Sequence, residues 1–203
     1  MLRYGLTGGI ASGKSTVAAM LRAEQGFPVL EADKISHALI EPGGAAYDEV
    51  IADFGREIVD GNGRIDRARL GAIVFADRQK LDRLNGIIHP RVEVEVLKQL
   101  SEVEKRGLHA AAFVEAALIF EAGLHKKLDG VVVVWCLPEQ QLARLIDRGN
   151  SEAEARQRIA MQMPVEEKFA LAAEKIDCSG SMEQTRRQVA ALAAKLRAAA
   201  PAD

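Results

Sequence analysis

Gly8-Gly9-Ile10-Ala11-Ser12-Gly13-Lys14-Ser15 fits, without a mismatch, the pattern of a glycine, four residues of any type, then Gly-Lys-Ser or Gly-Lys-Thr. Glycines let a chain turn tightly and bring its N–H groups onto phosphate oxygens with no Cβ between. A helix that starts where the loop ends adds free N–H groups and the positive end of its dipole. In such a loop Gly8, Gly9, Ala11, Ser12 and Gly13 form the cradle and Lys14 reaches the β- and γ-phosphates. Ser15 offers its hydroxyl to a magnesium ion, and Thr16, one residue into the helix, is placed to help hold the α-phosphate. A random chain of this length would show the four fixed positions with a probability on the order of one per cent. The context fits as well. Arg3 to Thr7 reads as a strand before the loop, and Val17, Met20 and Leu21 share one helical face after it, with Gly26 as the terminator. The segment therefore holds a nucleoside triphosphate by its phosphates, and by itself it names no reaction.

Outward from the loop, further strands are read at Phe27–Glu31, Ala111–Glu115 and Val131–Cys136, with a shorter fifth at Lys175–Cys178. Strands apolar on both faces belong in a parallel sheet covered by helices. The fold class expected is α/β of the P-loop kinase type, a five-stranded parallel sheet flanked by helices, as one domain. Its core is read at residues 1–37, 109–137 and 171–203. Residues 38–108 far exceed the dozen or so that a crossover needs and read as a helical, acceptor-binding insertion. There Tyr47, Val50, Ile51 and Phe54 recur at helical spacing, Asn62-Gly63 marks a tight turn, and Asp66 caps a helix carrying Leu70, Ile73 and Val74. His89-Pro90 is expected to start a further helix bearing Val92, Val96, Leu97 and Leu100 and ending by Gly107. Residues 138–162 are polar, helical and arginine-rich, interrupted at Gly149. Ser181 to Ala199 reads as an amphipathic helix with a Ser181/Gln184 capping box, followed by a frayed tail at Ala200–Asp203.

With 203 residues, 48% of them hydrophobic, the chain can bury one sizeable core. A formal net charge of −2 gives no sign of a nucleic-acid or acidic-membrane partner. No apolar run approaches the roughly 20 residues of a membrane span, and Met1 to Gly5 lacks the layout of a signal peptide. Cys136 and Cys178 make no disulfide framework, so a reducing cytoplasm is the expected location. His37, His109 and His125 show no metal-ligand spacing with them, and no structural zinc is expected. A monomer or a weak homo-oligomer is expected.

Two features narrow the reaction. The chain has no Asn-Lys-x-Asp segment for reading guanine, and Glu31-Ala32-Asp33 stands at the carboxyl end of the second strand. In a parallel sheet ligands collect beyond those ends. A carboxylate there can accept or orient the proton of a hydroxyl that takes a phosphoryl group. Asp33 is read equally well as the N-cap of a helix from Lys34 to Ile40.

The chain resembles the dephospho-coenzyme A kinase family over roughly residues 3 to 190. The resemblance rests on Leu6 to Thr16, Ala32-Asp33-Lys34-Ile35-Ser36-His37, Val74-Phe75, Leu84-Asn85, His89-Pro90, Leu118-Ile119-Phe120-Glu121, and the pair Arg144 and Arg148 followed by Gln162. Departures are Ala11 for a usual glycine (read as mild), Glu115 for an aspartate, Ala117 for a proline and Cys178 for an asparagine expected near the adenine. The resemblance implies transfer of the γ-phosphoryl of MgATP to the ribose 3′-hydroxyl of dephospho-coenzyme A. It makes Asp33 the residue that positions and deprotonates the hydroxyl. Lys14, with Arg144 and Arg148 on a small helical lid of about residues 138–170, would neutralise charge on the transferring group, and closure of that lid would exclude water. Asp33, His89 and Glu121 would contact the acceptor. The residues alone leave other readings open: a helix-start role for His89, a solvated face for the i, i+4 pair Arg144 and Arg148, a structural role for Glu121. Two other functions compete: a P-loop kinase for another small acceptor such as a nucleoside monophosphate, and a nucleotide-binding switch without phosphoryl transfer.

Overall fold

β1 (Leu2–Gly8), β2 (Val29–Glu31), β3 (Ala111–Glu115), β4 (Gly130–Trp135) and β5 (Glu174–Asp177) form one sheet in the order β2-β3-β1-β4-β5. Every neighbouring pair is parallel. The structure is a computed structural model and describes residues 1–200. The end of the alanine-rich tail, residues 201–203, lies outside them. Strand order reverses at β1, which lies between β3 and β4, and such a switch point opens a crevice at the carboxyl ends of the strands.

The described residues divide into two compact units, residues 1–31 with 100–200, and Ala32–Gln99. In the first, α1 (Lys14–Ala23) and α9 (Met182–Ala199) cover one face of the sheet. Alternate strand residues Leu6, Phe113, Val132, Val134 and Ile176 meet Val17 and Leu21 of α1 and Val189, Leu192 and Leu196 of α9 in one cluster. Burying each such side chain contributes roughly 1.5–3 kcal/mol, which is what holds a helix of modest intrinsic propensity against the sheet. α9 opens as its sequence signals. Ser181 Oγ accepts from the Gln184 N–H at 3.2 Å while Gln184 Oε1 accepts from the Ser181 N–H at 2.7 Å. α6 (Pro138–Asp147), α7 (Glu152–Ala160) and α8 (Val165–Leu171) fill the segment after β4, with the break at Gly149 (φ 89) falling between α6 and α7.

The second unit has its own apolar cluster, built on α2 (Ala32–Leu39), α3 (Tyr47–Phe54), α4 (Arg67–Phe75) and the first part of α5 (Arg78–Lys105). Ile40, Val50, Phe54, Ile58, Leu70 and Val74 are buried in it. Around Asn62-Gly63 the chain reverses, with Gly63 at φ 78 and Val59 bridged to Ile65. Asp66 caps α4 by accepting from the Ala68 and Arg69 N–H groups.

Three expectations are corrected. β2 begins at Val29 rather than Phe27, because Pro28 has no N–H to give a ladder and only its carbonyl joins, accepting from Phe113 N–H at 2.8 Å. α2 opens at Ala32, so Asp33 lies within its first turn and is not an N-cap outside it. No helix starts at His89-Pro90. α5 starts at Arg78, where Asp77 Oδ1 accepts from the Gln79 and Lys80 N–H groups, and Pro90 sits inside it. An interior proline costs about 3 kcal/mol. Packing of Leu81, Leu84, Ile87 and Ile88 into the cluster opposes that cost, as does Arg91, whose guanidinium donates to the Ile87 and Ala45 carbonyls and pairs with Glu49.

Candidate active site

The loop of residues 8–16 joins β1 to α1, and its backbone path needs its glycines. A Cβ on Gly8 would stand 2.2 Å from the Val134 carbonyl oxygen of β4. Gly13 has φ 105 and opens α1, its carbonyl accepting from the Thr16 and Val17 N–H groups at 3.0 and 3.1 Å. The earlier N–H groups of a helix have no intrahelical partner, which leaves α1 an anion-binding end that faces the loop. Ala11 is not the mild replacement its small side chain suggested. Its φ is 60, a left-handed conformation that costs an L-residue about 1–2 kcal/mol.

Lys14 and Ser15 converge on one oxygen. Lys14 Nζ lies 3.1 Å and Ser15 Oγ 3.0 Å from Glu115 Oε1, with the Lys14 and Glu115 side chains only 15% and 11% exposed. Glu115 ends β3, and its register opposite Leu6 of β1 brings it beside the loop. Sequence reasoning noted it only as a departure from an aspartate and gave it no role. The available signal was a carboxylate closing an apolar strand of a parallel sheet.

Three side chains from residues 138–162 grip the other side of the loop. Gln141 Nε2 donates to the Ile10 carbonyl at 2.7 Å, and Gln162 Oε1 accepts from the Ile10 N–H at 2.7 Å. Arg144 donates to the Ala11 carbonyl at 3.0 Å and to the Cys178 carbonyl at 3.2 Å. Gln141 went unremarked in the sequence, and Gln162 was noted without a role. Arg148 is the C-cap of α6 and exposed, so the structure brings Arg144 to the loop and leaves Arg148 in solvent. The Cys178 thiol is buried, and its Sγ would lie 3.1 Å from a Cβ on Gly13. Burial pushes the Cys178 and Cys136 thiols up from their ordinary range, so both stay protonated at neutral pH.

Glu121, after β3, pairs with Lys168 of α8 at 3.1 Å and accepts from the Met163 N–H at 3.4 Å. In the second unit, Asp33 is exposed in the first turn of α2, two residues past the end of β2. His89 is half-buried within α5, and burial lowers its pKa from the ordinary 6.5.

A Gly-rich turn from a central parallel strand into a helix, with its lysine and serine on a neighbouring strand's carboxylate, defines the class: the fold is that of a P-loop kinase. Known proteins then fix the family. The sequence profile of the dephospho-CoA kinase family matches residues 2–184. A dephospho-CoA kinase of Geobacillus kaustophilus is 45% identical over 192 residues, 94% of each chain. Among solved structures, a protein from Thermus thermophilus superposes with a TM-score of 0.81 at 36% identity, covering 96% of this chain and 97% of that one. The dephospho-CoA kinase from Campylobacter jejuni does so with a TM-score of 0.73 at 28% identity, covering 97% of each. The chain belongs to the dephospho-CoA kinase family.

Proposed function

We propose that this chain transfers the γ-phosphoryl group of ATP to the ribose 3′-hydroxyl of dephospho-coenzyme A. The observation that carries the reading is the convergence of Lys14 and Ser15 on Glu115 in a chain of this family. The family match favours this acceptor over a nucleoside monophosphate and over a switch without transfer.

In the proposed mechanism the loop N–H groups and the start of α1 hold the phosphates, and Lys14 exchanges its carboxylate partner for phosphate oxygens. Ser15 Oγ and Glu115 Oε1, 3.0 Å apart, are a hydroxyl and a carboxylate oxygen of the kind that suits magnesium. The described residues contain no cluster of three or more His, Cys, Asp or Glu able to cage a metal, so phosphates and water would complete its shell. Magnesium, when bound, neutralises charge on the β- and γ-phosphates. Asp33 takes the proton of the 3′-hydroxyl, as a general base or by orienting it. Arg144, with donors left over after its two carbonyls, adds positive charge beside the loop, and Arg148 joins it from solvent when residues 138–170 close. Glu121 and His89 serve the acceptor, His89 in neutral form at pH 7 because burial lowers its pKa. No helix among the described residues is long and apolar enough to cross a membrane, and a cytoplasmic setting suits the two free cysteines.

A coupled assay of ADP release tests the reading. ADP production with dephospho-coenzyme A, and a product carrying a 3′-phosphate by mass spectrometry, are expected. Turnover with nucleoside monophosphates alone would overturn it.

A further inference from the structure

Lys168, on α8, is a charged residue that the fold buries, its side chain 1% exposed. An ammonium taken out of water needs partners, and this one has two. Its Nζ donates to the Ala117 carbonyl at 3.1 Å and lies 3.1 Å from Glu121 Oε1. The same Ala117 carbonyl accepts from the hydroxyl of Thr7 at 3.1 Å, and Thr7, fully buried, immediately precedes Gly8. One residue back, the Ala116 N–H donates to the Leu6 carbonyl at 3.1 Å. Residues 115–117 are thus stitched on one side to the strand that launches the phosphate loop, and on the other to Lys168. Glu115, the first of them, is the carboxylate on which Lys14 and Ser15 converge.

An apolar side chain of similar length would fill the same space without the desolvation cost of a charge. What the ammonium adds is direction: it fixes where the Ala117 carbonyl and the Glu121 carboxylate point. α8 is itself held to the sheet, Phe169 packing edge-on against Trp135 of β4 with ring centroids 5.7 Å apart, so the ammonium is borne on a fixed element.

We propose that Lys168 is a positioning residue that acts through Ala117 and Glu121 to hold the segment carrying Glu115, and so sets the aim of that carboxylate at Lys14 and Ser15. The inference rests on the reading of Glu115 and Ser15 as oxygen donors for magnesium, and its test separates the two.

The full-length protein and its Lys168→Met, Lys168→Arg, Glu121→Gln and Glu115→Gln variants are compared by kcat, KM for ATP and the magnesium concentration giving half-maximal rate, alongside thermal melts. Glu115→Gln is expected to raise the half-saturating magnesium about tenfold or more. Lys168→Met is expected to raise it about three- to tenfold and lower kcat about tenfold, with KM for ATP within about twofold. Lys168→Arg, which keeps a cation, recovers most of both, and Glu121→Gln shifts the magnesium midpoint the same way by a smaller factor. A folded Lys168→Met with wild-type kcat and magnesium midpoint, beside a shifted Glu115→Gln, overturns the inference and leaves the reading of Glu115 standing. An unshifted Glu115→Gln overturns both. Should Lys168→Met fail to fold, Glu121→Gln decides: an unchanged magnesium midpoint there overturns the proposal.

Discussion

In the loop of residues 8–16 the candidate site is made of backbone, whereas the candidate residues within 32–99, Asp33 and His89, are side chains on helices. Gly8 approaches β4 so closely that no Cβ fits, Gly13 takes a left-handed turn, and Ile10 is held by two glutamines and Ala11 by Arg144. Each of these fixes the path of the main chain, whose remaining N–H groups are the donors proposed to hold phosphate whatever else the nucleotide carries. Asp33 and His89, by contrast, sit on helices that pack through Ile35, Leu39 and Ile87 and that would fold with other residues in those two places. A site made of backbone has to be written in consecutive residues. A site made of side chains can be scattered along helices, its members sharing no spacing rule.

The largest expected effects fall on opposite sides of that comparison. Lys14→Ala removes the cation proposed to serve the transferring group and is expected to lower kcat/KM for ATP about 10^4-fold, with a matching loss of ATP affinity. Asp33→Asn is expected to lower kcat about 10^2- to 10^4-fold while ATP affinity, read by titration calorimetry, stays within about threefold of wild type. Equal damage to ATP affinity by both variants would erase the distinction between a phosphate-holding loop and a hydroxyl-activating carboxylate. Near-normal turnover by Asp33→Asn would remove Asp33 from the chemistry.

The same distinction governs what could be read in the sequence. The sheet was legible because its strands are short apolar runs between helices, and β3 was read at its observed bounds, Ala111–Glu115. β2 was overextended because Pro28 looks apolar in a pattern yet cannot donate to a ladder. His89-Pro90 looked like a helix start because proline favours first turns. The deciding facts were elsewhere: a cap at Asp77 and packing that tolerates an interior proline. Around the loop, residues 8–16 announced themselves, while Glu115, Gln141 and Gln162 lie about 100 to 150 residues away and meet it only through strand order and helix placement. Nothing local in Leu-Pro-Glu-Gln-Gln marks Gln141 as a loop contact.

A smaller effect sharpens the account of the loop. Ala11 bears a left-handed φ of 60 that glycine adopts freely, so Ala11→Gly relieves backbone strain and gives back part of it as unfolded-state entropy. The net expectation is a gain of about 1 kcal/mol, seen as a rise in Tm of about 2–4 °C. The Ala11 carbonyl that Arg144 holds is unchanged by the substitution, so kcat should move little. A lower Tm would show that the alanine side chain, packed with Leu145 and Ala155, contributes more than its backbone costs.

The smallest effect belongs to the side-chain half of the molecule. Burial lowers the pKa of His89 below the ordinary 6.5, so near and below that pH the unfolded chain binds a proton that the folded chain resists. The unfolded state then holds more protons, and stability rises with pH through this window. The contribution is fully present above 6.5 and is lost as pH falls from there toward the folded-state value. Denaturant midpoints measured from pH 7.5 down to 5.5 should therefore fall faster for the wild type than for His89→Gln, which cannot take up that proton. Parallel curves would mean that His89 is as well hydrated folded as unfolded, and that its place inside α5 leaves it free in solvent, with no buried face against which an acceptor could be read.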